Sequence, residues 1–475
     1  MNWTLALPEI VLSCSGLFIL LFGVLQKRSE PSFACTMLTL VAFLVTGILV
    51  VVAPDGAGYH GQFVNDGFSR FMKILSLGAA GLAAILSLDY NRQEKTARFE
   101  FPVLLLFSTL GTLVMASSAN LMTLYVGLEL QSLAIYILCA FARDELTSAE
   151  AGLKYFVLGS LASGLLLYGI SLVYGFAGTM EYAGLRQVLT GGAPLAAGLV
   201  IGLVFVIVGL AFKLSMAPFH MWTPDVYQGS PTSVTAFLAG APKAAAFALL
   251  LRVLAQPFGH LAGQWQLLIE IVAIATMFLG SLAAIGQRDI KRLMAYSSIG
   301  HMGYAAMGIA SATDAGIRGT LVYLATYLIM NAGTFGCILA MRRRGRALTR
   351  IEDLAGLGRT DPTLAVLMAV FMFSMAGVPP LAGFFGKLMV FAAAVQAGLW
   401  VLAAVGVVTS VIGLFYYWRI VKVMFLDAPV AGAFDHRAPS LSFVSAVTGV
   451  ATVLFLLVLG PVTGAAQAAA AALFG

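Results

Sequence analysis

Residues 209–220 read GLAFKLSMAPFH, and residues 377–390 read GVPPLAGFFGKLMV. In each, one lysine stands inside an apolar run beside a helix-breaking proline: Lys213 near Pro218, and Lys387 near Pro379 and Pro380. A third lysine, Lys243, directly follows Pro242 in FLAGAPKAAAFALL, residues 237–250. An ammonium at bilayer depth costs about 2.5–3.5 kcal/mol on insertion scales, so lysines placed there serve a charge pathway or a partner. A proline inside a helix frees the carbonyl four residues earlier. Irregular backbone at membrane depth is tolerated where it lines a wet cavity. Lysine and proline together predict interrupted membrane helices around buried cations.

The rest of the chain supplies the membrane. Of its 475 residues, 60% are hydrophobic and 10% charged, and the mean hydropathy is +0.95. A soluble protein of this size carries about 25% charged residues. The net charge of +6 does not point to nucleic acid, because the basic residues sit in short loops between apolar runs, which is how membrane topology is encoded. Cys14, Cys35, Cys139 and Cys337 lie in or beside apolar segments without CxxC spacing, so neither a metal site nor a disulfide framework is expected. The first apolar run has no positive n-region or cleavage motif and reads as a retained span.

Apolar runs of about 20 residues, each long enough to cross a bilayer as a helix, recur from 4–25 to 440–465. They predict an all-α polytopic membrane protein of about 14 transmembrane helices in a single membrane domain. The seventh span is placed near 195–217, the eighth near 232–256 and the twelfth near 363–392. With both termini on one side, the opposite loops carry eighteen Lys and Arg residues, among them Lys27, Arg28 and Lys291, against Arg186, Arg252 and Arg318 on the terminal side. The bias puts both termini outside the cytoplasm. Arg70, Lys73 and Lys154 are expected near helix ends, snorkelling to the interface. Spans seven and twelve lie an odd number of spans apart, so they cross in opposite directions. This suggests two inverted five-helix repeats with discontinuous helices 7 and 12, a common transporter plan. The boundaries are 1–100 for helices 1–3, 101–256 for the first repeat, 265–425 for the second and 440–465 for the last helix.

Glu129, in LMTLYVGLELQSLAIYIL, is a mid-span carboxylate. An ion pair with Lys213 that opens and closes is the expected device for loading and releasing a proton, with a static salt bridge as the plainer alternative. His301, within LMAYSSIGHMGY, falls midway along the tenth span, where an imidazole that both donates and accepts suits a proton relay; an interhelical hydrogen bond is the plainer reading. His220, Trp222 and Asp225 are expected near the end of the seventh span, as a proton entry or an interfacial cap. The histidines show no paired spacing that argues for haem, and no phosphate loop, nucleophile elbow or metal motif stands out.

These residues carry a resemblance. Over nearly its whole length the chain resembles the antiporter-like membrane subunits of bacterial NADH-quinone oxidoreductase, respiratory complex I. The stretches that carry it are KLSMAPFHMWTPDVYQGSPTSVTAFLAGAPKAAAF (213–247), IGQRDIKRLMAYSSIGHMGYAAMG (285–308) and FSMAGVPPLAGFFGK (373–387). The chain ends soon after its fourteenth span, without the long lateral helix of the L branch. It has Lys387 where the M branch typically has glutamate. The N branch is therefore expected. The resemblance implies a fifth-helix glutamate at Glu129, a seventh-helix lysine at Lys213, a connecting lysine at Lys243 and a terminal lysine at Lys387. Lys154 resembles a further sixth-helix lysine. It also implies proton translocation with no cofactor in this chain; FMN, iron–sulfur clusters and quinone would belong to partner subunits. The partners expected are the neighbouring membrane subunits of complex I and the lipid bilayer of the bacterial inner membrane. Subunits of multi-component sodium/proton antiporters share the middle motifs and are the alternative.

Overall fold

The computed structural model describes residues 3–26, 31–191, 195–429 and 432–474. Lys27 and Arg28, two of the basic residues used to orient the chain, lie outside them. With no water in the hydrocarbon core to satisfy backbone groups, an apolar chain must satisfy them within each segment, and helices do so.

The helices run in order as α1 (Leu7–Leu25), α2 (Pro31–Val52), α3 (Gly67–Gln93), α4 (Glu100–Ala116), α5 (Leu121–Cys139), α6 (Leu146–Ala177) and α7 (Tyr182–Thr190). Next come α8 (Ala197–Lys213), α9 (Trp222–Gly229), α10 (Thr232–Leu238), α11 (Ala241–Ala255), α12 (Ala262–Ile285), α13 (Ile290–Ala310) and α14 (Asp314–Leu339). The last are α15 (Leu357–Thr360), α16 (Pro362–Ala376), α17 (Ala382–Gln396), α18 (Trp400–Leu426), α19 (Pro439–Val453) and α20 (Phe455–Phe474). Ten helical stretches among the described residues are long and apolar enough to cross a bilayer, and α4, α8, α16, α17 and α19 are shorter apolar helices. Two small antiparallel hairpins, Gly56–Gly58 with Phe63–Asn65 and Arg342–Arg343 with Arg346–Ala347, fold over opposite loop regions.

Burial sorts the helices into a centre and a rim. The most apolar windows of the α10–α11 stretch and of α14 are 100% and 94% buried, against 22% for α20. Small residues bring neighbours together: a Cβ on Gly280 of α12 would lie 2.4 Å from the backbone nitrogen of Gly300 in α13, so these helices touch backbone to backbone. The last helix closes against α14 and α3. Gln467 of α20 accepts from Arg318 and donates to Asp314 of α14, both at 2.7 Å, and Ala468 lies against Gly67 at the start of α3.

The buried apolar side chains form two large clusters, stacked along the helix axes. One gathers Phe101 to Leu113, Ile135 to Phe141, Ala284 to Ala295, Met330 to Ala376 and Tyr416 to Met424, toward the arginine-rich loops. The other gathers Met115 to Leu128, Ala244 to Met277, Met302 to Leu328, Ala382 to Ala403 and Ala466 to Leu473, toward the chain's end.

One expectation about basic residues is corrected, and a second residue gains a partner. Lys73 does not snorkel: it is fully buried, 2.6 Å from Glu9 of α1, and lies 5.0 Å from the centre of the Phe63 ring. Arg252, expected at the terminal-side end of the eighth span, lies at that end. It is fully buried in the last turn of α11, on Asp66 at 2.8 Å. In both cases a carboxylate distant in sequence supplies the counter-charge. Lys291 is also buried, and donates to the carbonyl of Ser230 at 2.6 Å.

Candidate functional site

The seam between the two apolar clusters is polar, and Glu129, Lys213, Lys243, His301 and Lys387 lie on it. Along α5, Leu128 belongs to one cluster and Ile135 to the other, with Glu129 and Ser132 between. Lys243 falls between Ala241 and Ala244 of opposite clusters, and Ser297, Ser298 and His301 between Ala295 and Met302. Thr409 and Ser410 occupy the same interval of α18, between Ala403 and Tyr416.

Three backbone interruptions meet this layer. α8 ends at Lys213 itself, and the chain turns through Ser215, at φ 60°, before α9 begins. The helix therefore stops earlier than Pro218 alone requires. The Phe212 carbonyl left at this end accepts from the Ser215 N–H at 3.0 Å and from Trp222 Nε1 at 2.9 Å. α10 and α11 are separated at Ala239 and Gly240, which places Lys243 in the first turn of α11. α16 ends at Ala376, Gly377 turns the chain at φ 90°, and α17 starts at Ala382, five residues before Lys387. Gly377 is required because φ 90° disfavours any side chain, and a Cβ there, 2.9 Å from Lys387 Cδ, would make the lysine side chain shift.

The lysines are 7% (Lys213), 1% (Lys243) and 7% (Lys387) exposed, yet none forms an ion pair among the described residues. Lys213 donates to Ser132 Oγ at 2.7 Å and to the Tyr136 hydroxyl at 3.1 Å. The Tyr136, Tyr155 and Phe212 rings surround its ammonium, with centres at 5.2, 5.6 and 5.9 Å. Lys243 donates to Ser298 Oγ at 2.7 Å beneath the Tyr227 ring. Lys387 donates to Ser410 Oγ at 2.8 Å and to the carbonyl of Ala376 at 3.0 Å, 4.7 Å from the Tyr304 ring centre. Ring faces attract such cations by about 0.5–2 kcal/mol each. The C-terminal ends of α8 and α16 add the negative pole of a helix dipole beside Lys213 and Lys387.

The expected Glu129–Lys213 ion pair is not formed. Glu129 accepts a very short hydrogen bond from Ser163 Oγ of α6, while Lys213 bonds Ser132, one turn further along α5. Residues three apart share a helix face, so carboxylate and ammonium are neighbours separated by hydroxyls rather than a contact pair.

His301 is held at both ring nitrogens, by the Tyr323 hydroxyl on Nδ1 at 2.5 Å and the Tyr417 hydroxyl on Nε2 at 3.0 Å. Tyr417 also meets Ser297 at 2.5 Å, and Ser298 bridges Lys243 to Tyr327 at 2.7 Å. The rings of His301 and Tyr327 have their centres 5.3 Å apart. Hydroxyls thus fill the space between Lys243 and Lys387 around His301. Sequence reasoning missed the tyrosines: Tyr323 and Tyr327 stand at i, i+4 on α14, a pattern visible in the sequence, but their pairing with α13 and α18 is not.

Lys154 stands apart. Its side chain is 42% exposed and pairs with Glu150 at 2.7 Å and Asp225 at 2.9 Å. Asp225 also binds Arg292 at 2.6 Å, so it joins α6, α9 and α13 at the edge of the bundle. Trp222 is buried, stacked on Tyr155 with ring centres 4.2 Å apart. The four cysteines are free, and among the described residues no group of three or more His, Cys, Asp or Glu is placed to hold a metal ion.

A sequence profile described as "NADH:quinone oxidoreductase/Mrp antiporter, TM" matches residues 118–413. The chain is 68% identical over 475 residues, all of both chains, to NADH-quinone oxidoreductase subunit N of Gluconacetobacter diazotrophicus. The chain belongs to the NADH-quinone oxidoreductase subunit N family. The subunit N of Granulibacter bethesdensis is 62% identical, again over the whole of both chains. A chain of respiratory complex I from Thermus thermophilus superposes with a TM-score of 0.83 at 33% identity, covering 97% of this chain and 99% of that one. A chain of the Mrp complex from Dietzia shares the fold, with a TM-score of 0.87 at 24% identity, covering 100% and 98%. The subunit N relatives thus separate this multi-pass membrane chain from the antiporter alternative, which the profile alone does not.

Proposed function

We propose that this proton-translocating membrane subunit of respiratory NADH-quinone oxidoreductase carries protons along its polar seam, through Lys213 beside Glu129, then Lys243, then the hydroxyl cluster around His301, and out through Lys387. The observation that carries the reading is the seam itself: three buried ammonium groups at three backbone interruptions, bonded to neutral hydroxyls and carbonyls. A lysine held this way can lose or gain a proton without stranding a buried carboxylate, which would cost about 3–5 kcal/mol. Each serine and tyrosine hydroxyl both donates and accepts. A neutral His301 has one donor and one acceptor nitrogen, so exchanging its tautomer reverses the direction in which the Tyr323 and Tyr417 bonds point.

The wider arrangement follows the same reading. Leaving aside the short α7 and α15, the helices group into 14 spans, taking α8 with α9, α10 with α11, α16 with α17 and α19 with α20 as interrupted pairs. Spans four to eight and nine to thirteen form two inverted units, with Lys213 and Lys387 in corresponding places. Both termini lie on the periplasmic side of a bacterial inner membrane. Neighbouring membrane subunits adjoin the bundle. Redox energy arrives from partner subunits that hold FMN, iron–sulfur clusters and quinone. Lys154, half-exposed in an ion network, serves to position α6 against α9 and α13.

The test compares Glu129→Ala and Lys213→Ala in the assembled complex. Assembly on a native gel with NADH-oxidising activity, together with a lower proton yield per NADH, is expected. An unchanged yield in fully assembled complex refutes the route. Sodium-dependent proton exchange in a band without NADH oxidation would favour the antiporter.

A further inference from the structure

A cavity of about 750 Å³ opens sideways between α1, α4, α5 and α6. Its wall is built from aliphatic and aromatic side chains such as Phe107, Ile137 and Leu153, and its inner side is closed by Tyr136. Ile137 and Leu153 are exposed at its outer edge. Two charges of opposite sign line the same cavity: Glu100, the first residue of α4, and Arg143, just past the end of α5. Neither side chain has a hydrogen bond or ion pair among the described residues.

We propose that this cleft seats one ethanolamine phospholipid, its acyl chain along the α4–α6 wall, its phosphate on Arg143 and its ammonium on Glu100. The volume lies in the range of about 300–1,000 Å³ typical of ligand sites. The paired charges select the headgroup. A guanidinium binds phosphate oxygens in a planar fork, while an ammonium offers three N–H donors to a carboxylate. A choline headgroup has no N–H to give, and a glycerol headgroup brings only neutral hydroxyls, with no positive charge for Glu100. The depth of the cleft selects a lipid over a neighbouring helix. On α4 it runs from Glu100 to Phe107, about 10 Å at 1.5 Å per residue, whereas a spanning helix needs a groove of about 30 Å.

The seat has a consequence that rests on the proton-carrying reading. Tyr136, which closes the cleft, is the residue whose hydroxyl Lys213 bonds, so an acyl chain in the cleft keeps the lipid-facing side of that lysine dry.

The experiment uses the whole complex, delipidated and reconstituted into nanodiscs of equal parts phosphatidylethanolamine, phosphatidylcholine and phosphatidylglycerol with matched chains. Native mass spectrometry of the released chain then reads which lipid is retained. Wild type is expected to keep one phosphatidylethanolamine in preference to the others. Glu100→Gln and Arg143→Gln should each cut that preference by about tenfold or more, the equivalent of one charge-assisted hydrogen bond. Leu153→Trp, which fills the cleft, should abolish retention. Equal retention of all three lipids, or retention undiminished by Leu153→Trp, overturns the proposal. So does a photo-reactive side chain at position 153 that captures a neighbouring subunit instead of lipid. Retention is read without any pumping assay, so its failure and the failure of the proton route remain separate results.

Discussion

Replacing Asp66 tests how this bundle handles a fully buried charge. Asp66 is the N-cap of α3, where its Oδ1 accepts from the Ser69 N–H at 2.7 Å. The same carboxylate takes two parallel bonds from Arg252, both at 2.8 Å. Arg252 is fully buried, lies over the Phe68 ring, and adds only longer bonds to the Ala116 carbonyl at 3.3 Å and Gln256 at 3.4 Å. Asp66→Ala therefore strands a desolvated guanidinium, at a cost of about 3–5 kcal/mol, and removes a helix cap worth about 1 kcal/mol. The sum, about 4–6 kcal/mol, is a large share of a folding free energy of about 5–15 kcal/mol. Asp66→Asn keeps the cap and should lose only the first term. Asp66→Ala with Arg252→Met removes the stranded charge and should recover most of the loss. Cys35, Cys139 and Cys337 are buried and Cys14 is exposed. With Cys14 replaced by serine, a thiol-reactive fluorophore reports unfolding in detergent. The expected order of midpoints is wild type, then the double variant, then Asp66→Asn, then Asp66→Ala. If the double variant melts with Asp66→Ala, the guanidinium is not desolvated and the reasoning fails.

The same pair sets a pH dependence. Burial pushes the Asp66 carboxyl up, but the charge and hydrogen bonds of Arg252, with those of Ser69, outweigh it and hold the group below its ordinary value. A lowered folded value means that this stabilisation is complete above about pH 4 and is lost as pH falls through the folded value; the acid loss of midpoint should be visibly shallower in Asp66→Asn. Gly377→Ala puts a Cβ into the left-handed region, costing about 1–2 kcal/mol, and displaces Lys387 from the Ala376 carbonyl. The complex should assemble on a native gel with a reduced proton yield, and an unchanged yield would count against the role of that contact. Tyr417→Phe keeps the ring but deletes the hydroxyl shared by Ser297 and His301, so the proton yield per NADH should fall, with a loss of about 1–3 kcal/mol in stability from the groups left unpaired.

How much of this was legible beforehand follows from range. Periodic apolar runs gave the membrane class, and proline beside lysine gave the interruptions at Lys213, Lys243 and Lys387, because helix breaking is local chemistry. Non-local pairing was not legible. Lys73 looked like a snorkelling end residue because Glu9 lies 64 positions away, and nothing near Arg252 in sequence marks Asp66 as its partner. The Glu129–Lys213 pair was inferred from opposite charge alone, and Ser163 and Ser132 intervene because hydroxyls on α5 and α6 reach those groups first. The resemblance to the membrane subunits of complex I pointed to Lys213, Lys243 and Lys387, but the tyrosines around His301 needed α13, α14 and α18 to be set side by side.

The stacking of two apolar clusters with a polar seam between them has an electrical consequence. Carrying one charge across a potential of 100 mV takes about 2.3 kcal/mol, and that work is spent only where the charge changes depth. A proton passed from Lys213 to Lys243 to the His301 cluster stays within the seam, close to a single equipotential. The voltage is then felt almost wholly on the two short legs that join the seam to either surface. The membrane potential should accordingly slow entry or release, and leave the hand-overs between lysines nearly untouched.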